Sequence, residues 1–391
     1  MDPKIDLLSV IYLIGTAQGV FLVVALLSPN IVNKQANRYL AAFLFIFTLS
    51  LADEFLFRSR YFYDYHYLIG LIWPLDFLYG PLFFFYVREL TSINPSFSSK
   101  NSYLHWLLFF LGILLAAPTW VLEPNNKIAL LYGLNQTMTS DFLRASIADG
   151  IATILVVIQI AVYLYLNFRN IQCYRERIRQ KFSEIEKINL SWLTTLLLLL
   201  LSLWVLFVID VFFSEIIGIS YQVGVSLHVM LVLIIYGMGY MGLRQTTIFK
   251  MDQVSDISAK RNSLNTNAKG EKYSKSKLSE EQSDILKSRL LVLMEERRPY
   301  LENGITLPEM AGLMICTSNH LSQVINDRLE KTFFDFINSY RISYAKKRLL
   351  SHKREGVLDI SMNSGFNSKS AFYTAFKKEV GMTPSQYRKI N

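Results

Sequence analysis

Two short segments near the C-terminal end carry polar side chains on one side of a predicted helix and apolar side chains on the other. In the first segment Leu321, Val324 and Ile325 form the apolar side. Its outward side holds Asn319, Ser322, Gln323 and Asn326. In the second segment Phe372 and Phe376 lie four residues apart on the inner side. Its other sides hold Lys369, Ser370, Tyr373, Thr374 and Lys377. Amide, hydroxyl and ammonium groups of this kind can hydrogen-bond the edges of nucleic-acid bases.

Each of these segments is preceded in the sequence by another short predicted helix and a three-residue turn. Thr306 and Glu309 form a capping box that predicts the start of the first unit. The predicted elements run, in order, over 307–314, 315–317, 318–329, a connecting helix at 333–351, then 357–364, 365–367 and 368–380. Two short helices joined by a tight turn, the second with an outward polar side, are the arrangement of a helix-turn-helix.

The C-terminal stretch GFNSKSAFYTAFKKEVGMTPSQYRK, at 365–389, resembles the signature of the AraC family of bacterial transcription regulators. LPEMAGLMICTSNHLSQVIND (307–327) and FFDFINSYRISYAKKRLL (333–350) resemble the first helix-turn-helix and the connecting helix of that family. The resemblance covers about 281–391. It implies two helix-turn-helix units in one chain, placed in successive major-groove segments of double-stranded promoter DNA.

By position, the resemblance implies specific roles for these residues. The candidates for reading bases are Asn319, Ser322, Gln323, Lys369, Ser370, Tyr373 and Thr374. The candidates for phosphate contacts, or for structural pairs, are Arg341, Lys377, Lys378 and Arg388. Ile315 and Glu330 stand where the family often has Gly, and a β-branched residue resists positive φ. We therefore expect a less regular geometry in the first unit than in the second, where Gly365 and Gly381 are present.

The rest of the chain has a different composition. Of 391 residues, 52% are hydrophobic and 18% are charged, against roughly 25% charged in soluble domains. Seven windows meet or approach the roughly 20 apolar residues that cross a bilayer: 7–27, 39–57, 67–87, 103–122, 147–168, 190–213 and 223–243. We predict an all-α chain with seven transmembrane helices, six being the alternative. The first window is interpreted as a retained span, because its apolar run is too long for a signal peptide.

The charges of the loops predict the orientation. With the N-terminus outside, the inner loops hold 12 Lys and Arg and the outer side holds 5, so the positive-inside rule places the C-terminal end in the cytoplasm. Residues 331–391 hold 12 basic and 4 acidic residues. We predict a multi-pass protein of the bacterial inner membrane, with a transmembrane sensor at 1–243, a flexible tether at 244–280 and a DNA-binding domain at 281–391.

The loop between the fifth and sixth spans has a helical apolar stripe. Its members are Ile171, Tyr174, Ile178, Phe182, Ile185 and Ile188, with Arg and Lys between them. This spacing predicts an amphipathic helix that continues the fifth span. It is either a surface helix, a contact in a homodimer or a rod that carries a signal.

Several acidic residues and one histidine lie in or near the predicted spans. Charges at membrane depth usually face a cavity or a partner. We select Asp76, Asp149, Asp210 and His228 as candidates for sensing a cation, a proton or an amine-bearing ligand; the alternative is that they are helix-end residues in contact with headgroup water. Tyr79-Gly80-Pro81 predicts a kink, either as a hinge or as a packing feature.

No catalytic, cofactor or metal motif stands out. HExxH, GxSxG, Walker A and dinucleotide fingerprints are absent, and Cys173 and Cys316 are too few for a disulfide framework. GPLFFFYV, at 80–87, resembles the membrane half of regulators in which an AraC-type domain is fused to a transmembrane sensor. The sequence thus favours a one-component regulator of transcription that binds DNA, lipid and an unknown ligand or ion. The alternatives are a transporter or an anchored scaffold with a DNA-binding tail.

Overall fold

The structure is a computed structural model that describes residues 4–28, 33–92, 102–134, 139–186, 188–217, 220–244, 278–352 and 354–390. It divides into two compact units, one of Met1–Gln172 with Ser191–Lys250, and one of Cys173–Leu190 with Met251–Asn391. Most of the predicted tether, 245–277, lies outside the described residues. Residues 173–190, which the sequence-based division groups with the membrane half, cluster with the C-terminal unit.

The first unit is built of helices. They are α1 Leu7–Leu26, α2 Lys34–Arg58, α3 Tyr79–Thr91, α4 Leu107–Trp120, α5 Pro124–Tyr132, α6 Ser140–Lys181, α7 Ser191–Ile217 and α8 Ser220–Arg244. Helix α1 packs along α2 and α8, and α7 packs along α8. Among the described residues, six helical stretches are long and apolar enough to cross a membrane, and α8 contains a shorter apolar stretch, Val225–Gly237, within the seventh predicted window. Two of the six, His66–Thr91 and Tyr103–Trp120, combine an α-helix with the 3-10 turns before it. The predicted all-α fold is confirmed. The described residues hold six apolar helical stretches of spanning length, or seven with the shorter one in α8.

The predicted kink near Tyr79 is a change of helix type. A 3-10 helix, Trp73–Leu78, passes directly into α3. Pro81 lies in the first turn of α3, where a missing N–H costs no hydrogen bond. A Cβ on Gly80 would collide with the ring of Tyr163, so this glycine lets α3 and α6 approach each other. This close approach supports the packing interpretation of the motif.

In its described residues, the second unit contains the end of α6 and seven further α-helices. They are α9 Glu280–Glu296, α10 Leu307–Leu313, α11 Ser318–Gln323, α12 Phe333–Ser351, α13 Val357–Asn363, α14 Lys369–Val380 and α15 Pro384–Ile390. The predicted capping box starts α10, since Glu309 N–H donates to Thr306 Oγ1 over 3.4 Å and Thr306 N–H donates to Glu309 over 2.8 Å. Ser279 and Gln282 form a second capping box at the start of α9.

Helix α12 joins two apolar clusters. Phe336 and Ile337, in its first half, pack in a cluster with residues of α9, α10 and α11. Ile342, Ala345 and Leu349, in its second half, pack in a cluster with residues of α13 and α14. Burial of this many apolar side chains, at roughly 25 cal/mol per Å² of apolar surface, is what holds short helices in place. One helix therefore positions both pairs of short helices.

Several local expectations need correction. Ile315 and Glu330 adopt φ values of +54° and +53°, so the turns have the usual left-handed residue although neither is Gly. This conformation costs an L-residue roughly 1–2 kcal/mol. The helix predicted over 318–329 is α-helical only to Gln323 and continues as a π-helix over Val324–Arg328. Helix α6 ends at Lys181, so Phe182, Ile185 and Ile188 lie beyond the predicted amphipathic helix.

Candidate DNA-binding surface

The first helix-turn-helix unit consists of α10, the turn around Ile315 and α11. Thr317 caps α11 by accepting a hydrogen bond from His320 N–H over 3.2 Å. Leu321, Val324 and Ile325 are fully buried, as the apolar pattern predicted. This burial fixes which side of α11 faces outward.

The outward side of α11 has the three predicted polar residues, with different surroundings. Asn319 is exposed, and Ser322 and Gln323 are half-buried. Ser322 Oγ accepts a hydrogen bond from Asn326 Nδ2 over 3.3 Å, and Gln323 Oε1 lies 3.5 Å from the backbone N–H of Leu278. Asn319 is therefore the most accessible of the three to an incoming base edge.

The second unit consists of α13, the turn Gly365–Asn367 and α14. Gly365 has φ of +87°, a conformation that Gly adopts without steric cost. Ser368 caps α14 by accepting a hydrogen bond from Ala371 N–H over 3.0 Å. Phe372 and Phe376 are fully buried and hold the inner side of α14 against α12.

The free side of α14 is polar and basic. Lys369, Ser370, Thr374 and Lys377 are exposed, and Tyr373 is half-buried. The Lys369 ammonium lies 5.4 Å from the centre of the Tyr373 ring, within cation–π range. The four predicted base-reading residues of this unit therefore share one accessible surface.

The predicted phosphate contacts divide between surface and core. Lys377 is exposed and Arg388 is half-buried. The Lys378 ammonium is exposed but donates a hydrogen bond to Asp335 Oδ1 over 2.8 Å. Arg341 is only 1% exposed, and its guanidinium donates to the carbonyls of Tyr300, over 2.7 Å, and Glu302, over 2.9 Å.

The burial of Arg341 and its hydrogen bonds to backbone carbonyls support the structural alternative of its predicted role. Burial lowers the pKa of Arg341 to about 10 against the opposing effect of the Glu184 carboxylate, so the guanidinium stays charged at neutral pH. The family resemblance left Arg341 open between a phosphate contact and a structural pair. Arg341 is buried because residues 299–302 cover it. The sequence pattern of α12 alone does not indicate this contact.

The candidate sensing residues lie in the first unit and are only partly brought together. Asp76 and His228 line a cavity of about 250 Å³. Its walls are aromatic and aliphatic, and the aromatic residues are Phe43, Phe47, Tyr79, Phe83, Tyr163, Trp204 and Phe207. His228 Nε2 lies 3.5 Å from Glu54. Asp149 and Asp210 are not among the residues that line this cavity.

Asn167, which the sequence reasoning did not select, also lines the cavity. It is 1% exposed, and its Oδ1 has no hydrogen-bond partner among the described residues. An unsatisfied buried carbonyl is costly and often marks a ligand or water position. The signal in the sequence was one Asn within an otherwise apolar stretch of the fifth window. No group of three or more His, Cys, Asp or Glu able to hold a metal occurs in the described part of the chain.

In this chain two helix-turn-helix units pack on one long helix, α12. This arrangement defines the class of regulators that have a double helix-turn-helix DNA-binding domain. A family model described as "Helix-turn-helix domain" matches residues 310–390. The melibiose operon regulatory protein of Escherichia coli strain K12 is 32% identical over 90 residues, which are 23% of this chain and 30% of that protein. The transcriptional activator RhaR of Escherichia coli O1:K1 is 28% identical over 120 residues, which are 31% of this chain and 41% of that protein.

A solved structure from Listeria innocua, described as a protein of unknown function, is 32% identical and covers 27% of this chain and 97% of that one, with a TM-score of 0.24. The C-terminal part of this chain is a helix-turn-helix domain of the AraC type. This chain spans 30% of the length of the melibiose operon regulatory protein and 41% of the length of RhaR.

Proposed function

We propose that this chain is a membrane-embedded transcriptional regulator whose two helix-turn-helix units bind specific double-stranded DNA under the control of a signal received by the first unit. The observation that carries the proposal is the accessible polar side of α14, which is held by α12 in a domain similar to those of two named regulators. Residues 331–391 hold 12 basic and 4 acidic residues, and this excess of positive charge favours binding to the phosphate backbone of DNA.

Membrane embedding is supported by the outer surface of the first unit. Six helical stretches in its described residues have the length and composition to cross a bilayer. Large apolar side chains are also widely exposed on it, including Phe21 at 62%, Leu114 at 70% and Leu199 at 43%. Contiguous apolar surface of this kind is unfavourable in water and is favourable against lipid.

Two lysines of α14 provide a matched test of DNA reading. Genome-wide mapping of bound DNA first identifies an operator. With the full chain in lipid nanodiscs, we expect Lys369→Ala to weaken operator binding by about 1–3 kcal/mol while random duplex is little affected. We expect Lys377→Ala to weaken binding to both duplexes alike and to reduce the salt dependence by about one counterion. Fluorescence anisotropy measures both.

Lys347→Ala is the control, because Lys347 is exposed on α12 and is not a predicted contact. Equal losses on operator and random duplex in Lys369→Ala would show that Lys369 reads no base. A wild-type chain that prefers no genomic sequence over random duplex would contradict the proposed function.

The cavity lined by Asp76 is the proposed place of sensing. A carboxylate among aromatic walls favours an organic cation, because ring faces and the negative charge attract the same group. We expect small lipophilic amines to raise the melting temperature of the nanodisc-embedded chain more than neutral analogues of equal size do. We expect Asp76→Asn to abolish that preference and Asp149→Asn, which does not line the cavity, to retain it. If Asp76→Asn and Asp149→Asn kept or lost the preference for amines alike, the cavity would not be the place of sensing.

A further inference from the structure

The connection between α6 and α7, described at residues 182–186 and 188–190, packs within the second unit against the DNA-binding domain. Ser183 is 2% exposed, and its backbone N–H donates to the carbonyl of Ile305 over 3.4 Å. Phe182 and Thr306 form an antiparallel bridge, an isolated pairing among the described residues. The connection therefore has a defined place on this domain, just ahead of α10.

Two acidic side chains of this connection lie at the start of α14. The Glu184 carboxylate accepts a hydrogen bond from Asn367 Nδ2, and the Glu186 carboxylate accepts one from Ser368 Oγ. Ser368 is the N-cap of α14. The N-terminus of a helix favours anionic groups, and in DNA-binding helices that group is commonly a backbone phosphate. The two carboxylates thus lie at a helix end that would also favour a phosphate.

A second set of charges connects the end of α6 to the same helix. Arg179 pairs with Asp335 at 3.0 Å, and Lys378 pairs with the same carboxylate at 2.8 Å. Burial alone would raise the pKa of Asp335, but hydrogen bonds from Lys378 and Thr332 and the charge of Arg179 hold it below its usual value. Asp335 is thus ionised at neutral pH and engages Lys378, a predicted phosphate contact.

The connection does not pack tightly along α14. A cavity of about 500 Å³ lies between them, with Glu184, Glu186 and Asn189 on one side and Thr374 and Lys378 on the other. Thr374 is a predicted base-reading residue. A contact made mainly of polar bonds beside a cavity can separate without exposing a large apolar area, so its release costs far less than unfolding.

We propose that residues 182–190 are an acidic latch that occupies the phosphate-facing end of the second helix-turn-helix unit, and that movement of α6 or α7 on signal binding releases it. The latch rests on the proposed function, since it regulates the same DNA-binding surface. DNA and the latch compete for Asn367 and Ser368, so DNA binds the released state and shifts the population toward it. The latch is directly connected to α6 and α7. The signal can therefore reach the DNA-binding domain without passing through residues 245–277.

The first test removes the latch charges. In nanodiscs, the full chain with Glu184→Gln and Glu186→Gln is expected to bind the mapped operator about tenfold more tightly than wild type, because a latched chain binds only through its released fraction. Glu176→Gln is the matched control: Glu176 is exposed on α6 and bonds Gln180, so its loss leaves the operator Kd unchanged.

The outcomes separate the latch from the proposed function. An operator Kd of the double variant equal to that of Glu176→Gln, or weaker than wild type, overturns the latch while leaving DNA binding intact. If neither the wild-type chain nor the double variant binds an operator, the proposed function is overturned together with the latch.

The second test locks the contact. Opposed residues of an antiparallel bridge have Cα atoms about 4.5–5.5 Å apart, within the span of a disulfide. A chain with Phe182→Cys and Thr306→Cys, with Cys173→Ser and Cys316→Ser, is expected to lose at least about tenfold in operator affinity on oxidation and to regain it on reduction. Equal affinities of the oxidised and reduced forms, with the disulfide verified by mass spectrometry, overturn the latch.

Discussion

Replacing Gly365 by Ala is expected to destabilise the second unit by about 3 kcal/mol, through positive-φ strain and overpacking together. A Cβ at this position would lie 2.6 Å from the backbone oxygen of Tyr300 and 2.9 Å from Arg341 Nε. Two of the three nearest atoms are backbone oxygens, of Tyr300 and Leu301, which cannot rotate away. Hydrogen–deuterium exchange over residues 278–390 of the full chain in nanodiscs measures the loss.

Gly381→Ala is the control for the strain alone. Gly381 also has a positive φ, of +81°, but a Cβ there would meet nothing within 4 Å. Its expected cost is about 1 kcal/mol. Equal protection from exchange in the two variants would contradict the crowding that the structure shows around Gly365.

The second large effect is expected from Arg341→Met. The side-chain volume is nearly kept, but the carbonyls of Tyr300 and Glu302 lose a charged donor in a buried place. Each unsatisfied group costs about 1–3 kcal/mol, so we expect a loss of roughly 3 kcal/mol in the free energy of unfolding of this unit. The same exchange experiment measures it.

Arg289→Met is the matched control for the buried arginine. Arg289 also donates to a backbone carbonyl, that of Met314, over 2.9 Å, but it is exposed. Water can replace its hydrogen bond, so the expected cost is below about 1 kcal/mol. A loss in Arg341→Met no larger than that in Arg289→Met would show that the buried hydrogen bonds contribute little to stability.

The sequence predicted the elements of the second unit closely because their signals are local. Capping at Thr306, the i, i+4 pair Phe372 and Phe376 and the glycines at 365 and 381 each act within a few residues of chain. The all-α architecture followed in the same way from long apolar stretches.

What the sequence could not provide depends on long-range contacts. The sequence leaves Arg341 open between a phosphate contact and a structural pair, because only the distant 299–302 segment shows that it is buried. Glu184 and Glu186 are two acids in a mostly basic loop, and nothing local indicates that they face Asn367 and Ser368. The positive φ of Ile315 shows the converse, since tertiary packing imposes a turn that the local residue disfavours.

The shared position of α12 has a consequence for promoter architecture. Because both pairs of short helices are fixed to one rigid rod, the angle and distance between the two reading helices cannot adapt to the DNA. One inserted base pair rotates the duplex by about one tenth of a turn and lengthens it by about 3.4 Å. We therefore expect the two halves of a target sequence to keep a constant spacing, so that the domain would measure length along the groove as well as base identity.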